Sequence, residues 1–133
     1  MKHVLVVEDD PHNALLFRKL LERRGGFRVT LSESADEILR LTGAGEVDLV
    51  IMDVTLANTR HQGRQLSGVE MCRLIKQQPS SAAVPVLLAT AHAMRGDAEA
   101  LLADSGANDY VAKPILDHEA FMGLVRSLAP EAA

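Results

Sequence analysis

The chain has 133 residues, of which 47% are hydrophobic and 24% charged, with a formal net charge of -4. This length suits one globular domain with a proper core, and the composition excludes a disordered chain. The acidic balance and the lack of tryptophan argue against nucleic-acid binding, which needs a basic face or stacking aromatics. The single cysteine, Cys72, excludes an internal disulfide and is expected to be buried.

The N-terminal apolar run resembles a signal peptide only briefly, because Glu8, Asp9 and Asp10 interrupt it. No apolar run approaches the ~20 residues of a membrane span. We therefore expect a cytoplasmic protein that has no contact with a membrane.

Apolar runs alternate with helical patterns along the whole chain. Strands are predicted at residues 3–7, 27–31, 47–52, 84–89 and 109–112. Helices are predicted at residues 11–24, 35–43, 69–78 and 95–105, and around the stripe of Phe121, Leu124, Val125 and Leu128. Strict alternation predicts an α/β domain in which helices cover both faces of a parallel sheet.

The run that ends at Asp53 is the most informative single stretch. It is apolar in both side-chain directions, which is typical of a strand buried on both faces. Asp53 would then lie at the carboxyl end of the strand, where open α/β sheets bind their ligands. Taken alone, an aspartate in this position is also typical of a turn or a helix cap.

Polar residues follow four of the predicted strands. The first strand is followed by Glu8 and Asp9, the third ends at Asp53, and the last two are followed by Thr90 and Lys113. If the first and third strands are neighbours, three carboxylates converge and repel, and a divalent cation such as Mg²⁺ would relieve that repulsion. A lysine and a hydroxyl beside this cation would complete a phosphoryl-transfer site with Asp53 as nucleophile. Individually, Lys113 and Thr90 also fit a solvated surface lysine and a strand-end hydroxyl.

These positions fall in four recognisable motifs. They are Val6-Val7-Glu8-Asp9, Leu49-Val50-Ile51-Met52-Asp53, Pro85-Val86-Leu87-Leu88-Ala89-Thr90-Ala91 and Tyr110-Val111-Ala112-Lys113-Pro114. Through them the chain resembles the receiver domain of two-component response regulators from Val4 to about Leu128. The resemblance implies a doubly wound, flavodoxin-like (βα)5 fold with a five-stranded parallel sheet in the order 2-1-3-4-5.

The resemblance also implies roles for the acidic residues. Asp53 would be the phosphoacceptor that takes a phosphoryl group from a phosphohistidine. Asp9, Asp53 and the backbone carbonyl of Thr55 would hold Mg²⁺, and Glu8 would contribute directly or through a water molecule.

Further implied roles concern the other strand ends. Lys113 would pair with the phosphoryl oxygens, and Thr90 would move towards them while Tyr110 turns inward as the switch aromatic. The Lys113–Pro114 peptide bond would be cis. Thr55 and His92 occupy the two positions that tune the lifetime of the aspartyl phosphate, although His92 also fits a solvent-facing loop histidine.

Residues 56–68 form a polar loop longer than the usual ~2–6 residues between a strand and a helix. Relatives have a short turn there, with proline at the position of Ala57. The loop carries Arg60, His61 and Arg64 and no acidic residue. One hypothesis is that it lies beside the phosphorylation site and selects an acidic kinase or phosphotransferase. The alternative is a mobile, solvated loop without a task.

We therefore expect a receiver domain over residues 1–128, with a short tail at 129–133 and no output domain. Its start at Met1 weighs against a piece cut from a hybrid kinase. The expected partners are a sensor histidine kinase or histidine phosphotransferase and a downstream target at the surface of the fourth helix, fifth strand and fifth helix. The protein would be a monomer or a phosphorylation-dependent dimer, and it would assist its own phosphorylation and dephosphorylation without being a turnover enzyme.

Two other functions remain open from the sequence. The first is a degenerate receiver that acts as a phosphorylation-independent protein-binding module. The second is a phosphatase with an aspartate nucleophile. Such phosphatases generally carry a second aspartate as general acid where this chain has Thr55, and they need a cap domain to hold the substrate.

Overall fold

The computed structural model describes residues 2–91 and 95–129, without the side chains of residues 95–97. The strands are β1 (His3–Val7), β2 (Arg28–Leu31), β3 (Leu49–Asp53), β4 (Arg60–His61), β5 (Arg64–Gln65), β6 (Val86–Thr90) and β7 (Asp109–Ala112). The helices are α1 (Pro11–Gly25), α2 (Ala35–Gly43), α3 (Gly68–Gln77), α4 (Arg95–Ser105) and α5 (His118–Leu128). Among these described helices, none combines the length and the apolar character that a membrane span requires.

The main sheet is parallel and has the strand order β2-β1-β3-β6-β7. Numbered among the strands of this sheet alone, the order is 2-1-3-4-5, which confirms the predicted doubly wound fold. The direction of winding reverses between β1 and β3, which pair from Val4↔Leu49 to Val7↔Met52. Their carboxyl ends therefore lie side by side at the switch point, where such sheets bind ligands.

Side chains of β3 divide the core into two layers. Leu49 and Ile51 pack in the layer that contains Phe17 of α1 and Phe121 of α5. Val50 and Met52 pack in the opposite layer, which also contains residues of α2 and α3. Burial on both faces explains why this strand is apolar in both directions. The predicted burial of Cys72 is confirmed, because its side chain lies in the α2–α3 layer.

Strand ends differ from the predictions by one or two residues, for local reasons. Phe27 lies outside β2 because its N–H donates to the Leu21 carbonyl and so closes α1. Val84 lies outside β6 because its N–H donates to the Ser81 carbonyl in a turn. β3 begins at Leu49, two residues later than predicted, and ends one residue later, because Asp53 itself pairs with Ala89 of β6.

Residues 56–68 are more ordered than a solvated polar loop. β4 and β5 form an antiparallel hairpin, and Gln62 (φ 54°) and Gly63 (φ 78°) form its two-residue turn. Two positive φ values are typical of a type I′ turn, whose twist matches that of the paired strands. Leu56, Thr59 and Leu66 are buried, so the alternative of a solvated loop does not describe these three residues. The Thr59 hydroxyl also donates to the Glu33 carbonyl over 2.9 Å.

Candidate functional site

Three carboxylates meet where β1 and β3 end. One oxygen from each of Glu8, Asp9 and Asp53 lies within 4.8 Å of the others. Glu8 and Asp9 follow β1, and Asp53 ends the adjacent strand, so the strand order itself produces this cluster. Glu8 is 7% exposed and Asp53 only 2% exposed. Two carboxyl groups are therefore withdrawn from water, which is costly unless each is paired.

Lys113 supplies the compensating charge. Its Nζ lies 2.9 Å from Glu8 Oε1 and 3.0 Å from Asp53 Oδ1. The lysine follows β7, and its backbone N–H donates to the Thr90 carbonyl over 2.8 Å, which fixes the start of its side chain beside β6. From there the long side chain reaches the carboxylates across the end of the sheet.

Burial and pairing separate the protonation behaviour of these groups. Burial, together with a hydrogen bond to Asp53, raises the pKa of Glu8 to about 7, against the opposing effect of Lys113. Burial would also raise the pKa of Asp53, but hydrogen bonds with Glu8, Lys113 and the Thr55 N–H outweigh it and lower that pKa. Burial would lower the pKa of Lys113, but both carboxylates raise it. Asp53 is therefore the ionised carboxylate at neutral pH, and Lys113 remains an ammonium ion.

Backbone groups after β3 orient Asp53 and Asp9. Asp53 Oδ1 accepts a hydrogen bond from the Thr55 N–H at 3.1 Å, and the Thr55 hydroxyl lies 3.4 Å from the same oxygen. Asp9 Oδ2 accepts the Ala57 N–H at 3.1 Å. The start of the 56–68 loop is thus hydrogen-bonded to the acidic cluster.

Two further predicted residues, Thr90 and Tyr110, lie on the strands beside the cluster but do not line the cleft that it opens into. Thr90 ends β6 beside β3 and is 4% exposed. Tyr110 of β7 is partly buried against the α2–α3 layer, opposite Leu88. The Lys113–Pro114 peptide bond is cis. A cleft of about 360 Å³ is lined by Glu8, Asp9, Asp10, Asn13, Asp53, Thr55, Ala91, Lys113 and Pro114.

Other predicted residues are not brought to the cleft. Arg60, His61 and Arg64 lie on the hairpin and do not line the cleft. Arg64 instead forms an ion pair with Glu70 of α3. His92 lies outside the described residues. The 56–68 loop therefore contacts the acidic cluster near its start, at Ala57, whereas its basic side chains lie on the hairpin, away from the cleft.

Gly68 is a structural position beside the site that the sequence analysis did not single out. Its N–H donates to the Val54 carbonyl over 2.9 Å, which holds the start of α3 against the end of β3. A Cβ atom at this position would overlap the carbonyl oxygen of Asp53. The available sequence signal was the capping box of Ser67 and Glu70, which marks a helix start immediately beside this glycine.

The carboxylate cluster fits a hard divalent cation. Oxygen atoms from three carboxyl groups converge in an open cleft, and hard cations such as Mg²⁺ prefer oxygen donors of this kind. The described residues contain no other group of three histidine, cysteine or acidic side chains that could hold a metal ion.

The fold and this cleft together define a class of protein. The profile of the family described as "Response regulator receiver domain" matches residues 4–126. The chain therefore belongs to the receiver domains of response regulators, which are signalling proteins of two-component systems. This confirms the resemblance drawn from the four motifs.

Individual relatives agree with that assignment. The chain is 34% identical over 114 residues to the polar-differentiation response regulator DivK of Brucella ovis, covering 86% of this chain and 85% of that protein. It is 36% identical over 112 residues to the signal transduction histidine-protein kinase BarA of Escherichia coli, covering 84% of this chain but 11% of that protein.

A solved structure extends the comparison to the cleft. The receiver domain of the sensor histidine kinase PA1611 from Pseudomonas aeruginosa is 30% identical, with a TM-score of 0.79 and 98% coverage of both chains. That structure is described as having a magnesium ion coordinated in its active site cleft.

Proposed function

We propose that this receiver domain accepts a phosphoryl group from a phosphohistidine onto Asp53 and uses the modification to switch a protein-binding surface. The observation that carries the proposal is the environment of Asp53. Its carboxylate ends a central strand, is almost fully buried, and lies 3.0 Å from the Lys113 ammonium. An ionised, desolvated carboxylate beside a fixed cation is suited to attack phosphorus.

In the proposed transfer, an Asp53 carboxylate oxygen forms a bond to phosphorus as the bond from phosphorus to the histidine nitrogen of the donor breaks. The bond's electron pair returns to the imidazole, and the products are an aspartyl phosphate and a free histidine. Lys113 offsets the negative charge of the transferring group, and the Thr90 hydroxyl lies at the end of the neighbouring strand.

We assign Mg²⁺ to the acidic cluster. Asp9, Asp53 and the Thr55 backbone carbonyl would hold it, with Glu8 directly or through a water molecule. When bound, the cation would supply positive charge that offsets the negative charge of the carboxylates and of the transferring phosphoryl group. Lys113, which contacts Glu8 and Asp53, would add a second positive charge beside the same carboxylates.

The switch would use Thr90 and Tyr110. Both lie on the strands at the β6–β7 side of the sheet, and Tyr110 is only partly buried. The readout would be a changed surface of α4, β7 and α5, which binds a downstream target or a second copy of the chain. Thr55 and His92 would tune the lifetime of the aspartyl phosphate.

The phosphodonor would be a sensor histidine kinase or a histidine phosphotransferase. Leu15 of α1 is 51% exposed and Leu116, three residues after Lys113, is 87% exposed. Each lies two residues after a residue that lines the cleft, Asn13 and Pro114 respectively, and we expect both to offer apolar contacts to the donor protein. We place the reaction in the cytoplasm and assign the receiver to residues 1–128, with 129–133 as a tail. The chain would assist its own phosphorylation and dephosphorylation without turning over a separate substrate.

Intact mass spectrometry tests the proposal. The protein is incubated with acetyl phosphate, with and without Mg²⁺, beside Asp53→Asn. We expect one phosphoryl adduct on the native chain, which disappears when Mg²⁺ is chelated and is absent in the variant. A native protein that stays unmodified with both acetyl phosphate and a phosphorylated histidine phosphotransferase would instead favour a phosphorylation-independent binding module.

A further inference from the structure

A second concave surface lies between the hairpin and α3. We name it the hairpin groove; it has a volume of about 410 Å³, and its lining includes His61, Arg64, Leu66, Glu70, Arg73 and Leu74. It shares no lining residue with the phosphorylation cleft. The function proposed above therefore makes no use of it.

The groove is basic on an acidic protein. Arg64 and Arg73 contribute two guanidinium groups, whereas the chain as a whole carries a net charge of -4. The one carboxylate of the lining, Glu70, already accepts hydrogen bonds from Arg64 and from the Ser67 N–H. These contacts lower the pKa of Glu70, the Ser67 N–H contributing more than Arg64, so the carboxylate is ionised and paired.

The arginines are placed by the fold. Arg73 Nε donates to the Asp104 carbonyl over 2.6 Å, which holds the guanidinium between α3 and α4. Arg64 follows the type I′ turn on β5, opposite His61. Arg60, at the base of the hairpin, is exposed and forms no ion pair with any described residue, but it does not line the groove.

The hairpin itself is attached to the body of the domain. Leu66 is buried, and its N–H donates to the Thr59 carbonyl over 2.8 Å. Thr59 in turn donates to the Glu33 carbonyl. His61 Nδ1 lies 3.7 Å from Asp36 of α2 and, among the described atoms, has no hydrogen-bond partner. A preorganised surface loses little conformational entropy when a partner binds.

We propose that the hairpin groove binds an acidic segment of a partner protein that carries carboxylates and an apolar side chain. The carboxylates would pair with Arg64 and Arg73, since planar guanidinium groups bind carboxylates in a bidentate manner. The apolar side chain would contact Leu66 and Leu74. Charge complementarity selects this occupant, because a basic groove on an acidic protein also orients the approach of an acidic partner.

Binding of a defined acidic peptide tests this inference. The probe is an N-acetylated hexapeptide of glutamate and leucine, titrated into the ¹⁵N-labelled full chain at low salt. We expect amide shifts confined to β4, β5 and α3. The shifts should vanish in 1 M salt, where the Debye length is about 3 Å. A peptide with lysine in place of glutamate should produce none of them.

Matched variants separate binding from structure. Arg64→Gln combined with Arg73→Gln should weaken peptide binding by roughly fivefold or more, because two exposed ion pairs are lost. Arg23→Gln, which removes an exposed arginine of α1, should leave the affinity unchanged. Glu70→Gln keeps an acceptor for the capping box but releases Arg64, so it should tighten binding by about twofold to fivefold.

Several outcomes would overturn the inference. One is an absence of shifts in the groove at millimolar peptide, and another is an unchanged affinity in the double arginine variant. Self-association of the native chain that the double variant abolishes would assign the groove to a second copy instead. Asp53→Asn should bind the peptide like the native chain, so this result does not depend on phosphorylation.

Discussion

The environment of Asp53 shows how several modest contacts define one reactive group. Burial would keep this carboxyl protonated, but the hydrogen bonds of Glu8, Lys113 and the Thr55 N–H reverse that effect and lower its pKa. The pKa of the neighbouring Glu8 is raised to about 7, because burial and its hydrogen bond with Asp53 outweigh the lowering effect of Lys113. These two neighbouring carboxyl groups thus differ in protonation. Of the two, Asp53 is the one that is ionised throughout the neutral pH range.

The pKa of Glu8 predicts the pH dependence of metal binding. Below about pH 7, Glu8 retains a proton that must leave before the group can act as a metal ligand. Mg²⁺ affinity should therefore rise between pH 6 and pH 8 by up to about tenfold, with release of a proton. Calorimetric titrations in buffers of different ionisation enthalpy measure both quantities.

Glu8→Gln is the control for that titration. Glutamine has no titrating proton, so the affinity of the variant should change little over the same pH range. Equal Mg²⁺ affinities of the native protein at pH 6 and pH 8, without proton release, would contradict the assignment of Glu8 to the metal site.

At the scale of elements, the start of α3 is packed directly onto the end of β3. Gly68→Ala would place a methyl group against the Asp53 carbonyl, so the helix start must move. We expect a loss of about 1–3 kcal/mol in the free energy of unfolding, as for other overpacked sites. Urea unfolding monitored by circular dichroism measures it.

Gly123→Ala supplies the opposite control. Gly123 lies within α5, and a Cβ atom there would meet nothing within 4 Å. The substitution should stabilise the protein by about 1 kcal/mol, because alanine is the better helix former. Similar effects of the two substitutions would show that the contact between Gly68 and Asp53 has no energetic weight.

The hairpin turn provides a second prediction at this scale. Gln62 adopts a positive φ of 54°, which asparagine tolerates better, and asparagine followed by glycine is the preferred type I′ sequence. Gln62→Asn should stabilise the hairpin by roughly 0.5 kcal/mol. Hydrogen exchange of the Leu66 amide, which donates to Thr59 across the hairpin base, should slow accordingly.

Gln65→Asn makes the same chemical change on β5 instead of in the turn. Gln65 is paired with Arg60 in extended backbone, so this substitution should not slow exchange of the Leu66 amide. Slower exchange in both variants would rule out the turn conformation as the cause.

The hairpin also shows why some elements escaped sequence-based prediction. Its strands have two residues each, too short for a periodic pattern to emerge. Its turn has glutamine where asparagine or aspartate would have signalled a hairpin. The burial of Thr59 could not be predicted from the sequence either, because its hydrogen-bond partner is the backbone carbonyl of Glu33, in the loop between β2 and α2.

At the scale of the whole molecule, the sheet brings together residues that are far apart in sequence. Glu8 and Lys113 are 105 positions apart, yet they form one ion pair at the end of the sheet. Parallel strands with right-handed crossovers direct all their carboxyl ends to one edge, so polar residues at the ends of β1, β3 and β7 line the same cleft.

This geometry explains how far the sequence could predict the site. Asp9, Asp53, Thr90 and Lys113 each follow or end an apolar run, and alternation alone places such residues at a common edge. The alternation of strands and helices does not indicate which carboxyl group keeps its proton. That depends on distances such as the 2.9 Å between Glu8 Oε1 and Lys113 Nζ. The separation of the hairpin's arginines from the cleft likewise depends on packing at Leu56 and Leu66.

The position of Asp53 at the β1–β3 switch point leads us to propose it as the phosphoacceptor. To test this, the protein is incubated with Mg²⁺ and acetyl phosphate and then treated with borohydride, which reduces an aspartyl phosphate to homoserine. Peptide mass spectrometry then locates the homoserine in the chain. We expect homoserine at position 53 and at no other aspartate, and none when Mg²⁺ is chelated. Homoserine at Asp9 or elsewhere, with Asp53 unmodified, would refute the assignment of Asp53 as phosphoacceptor.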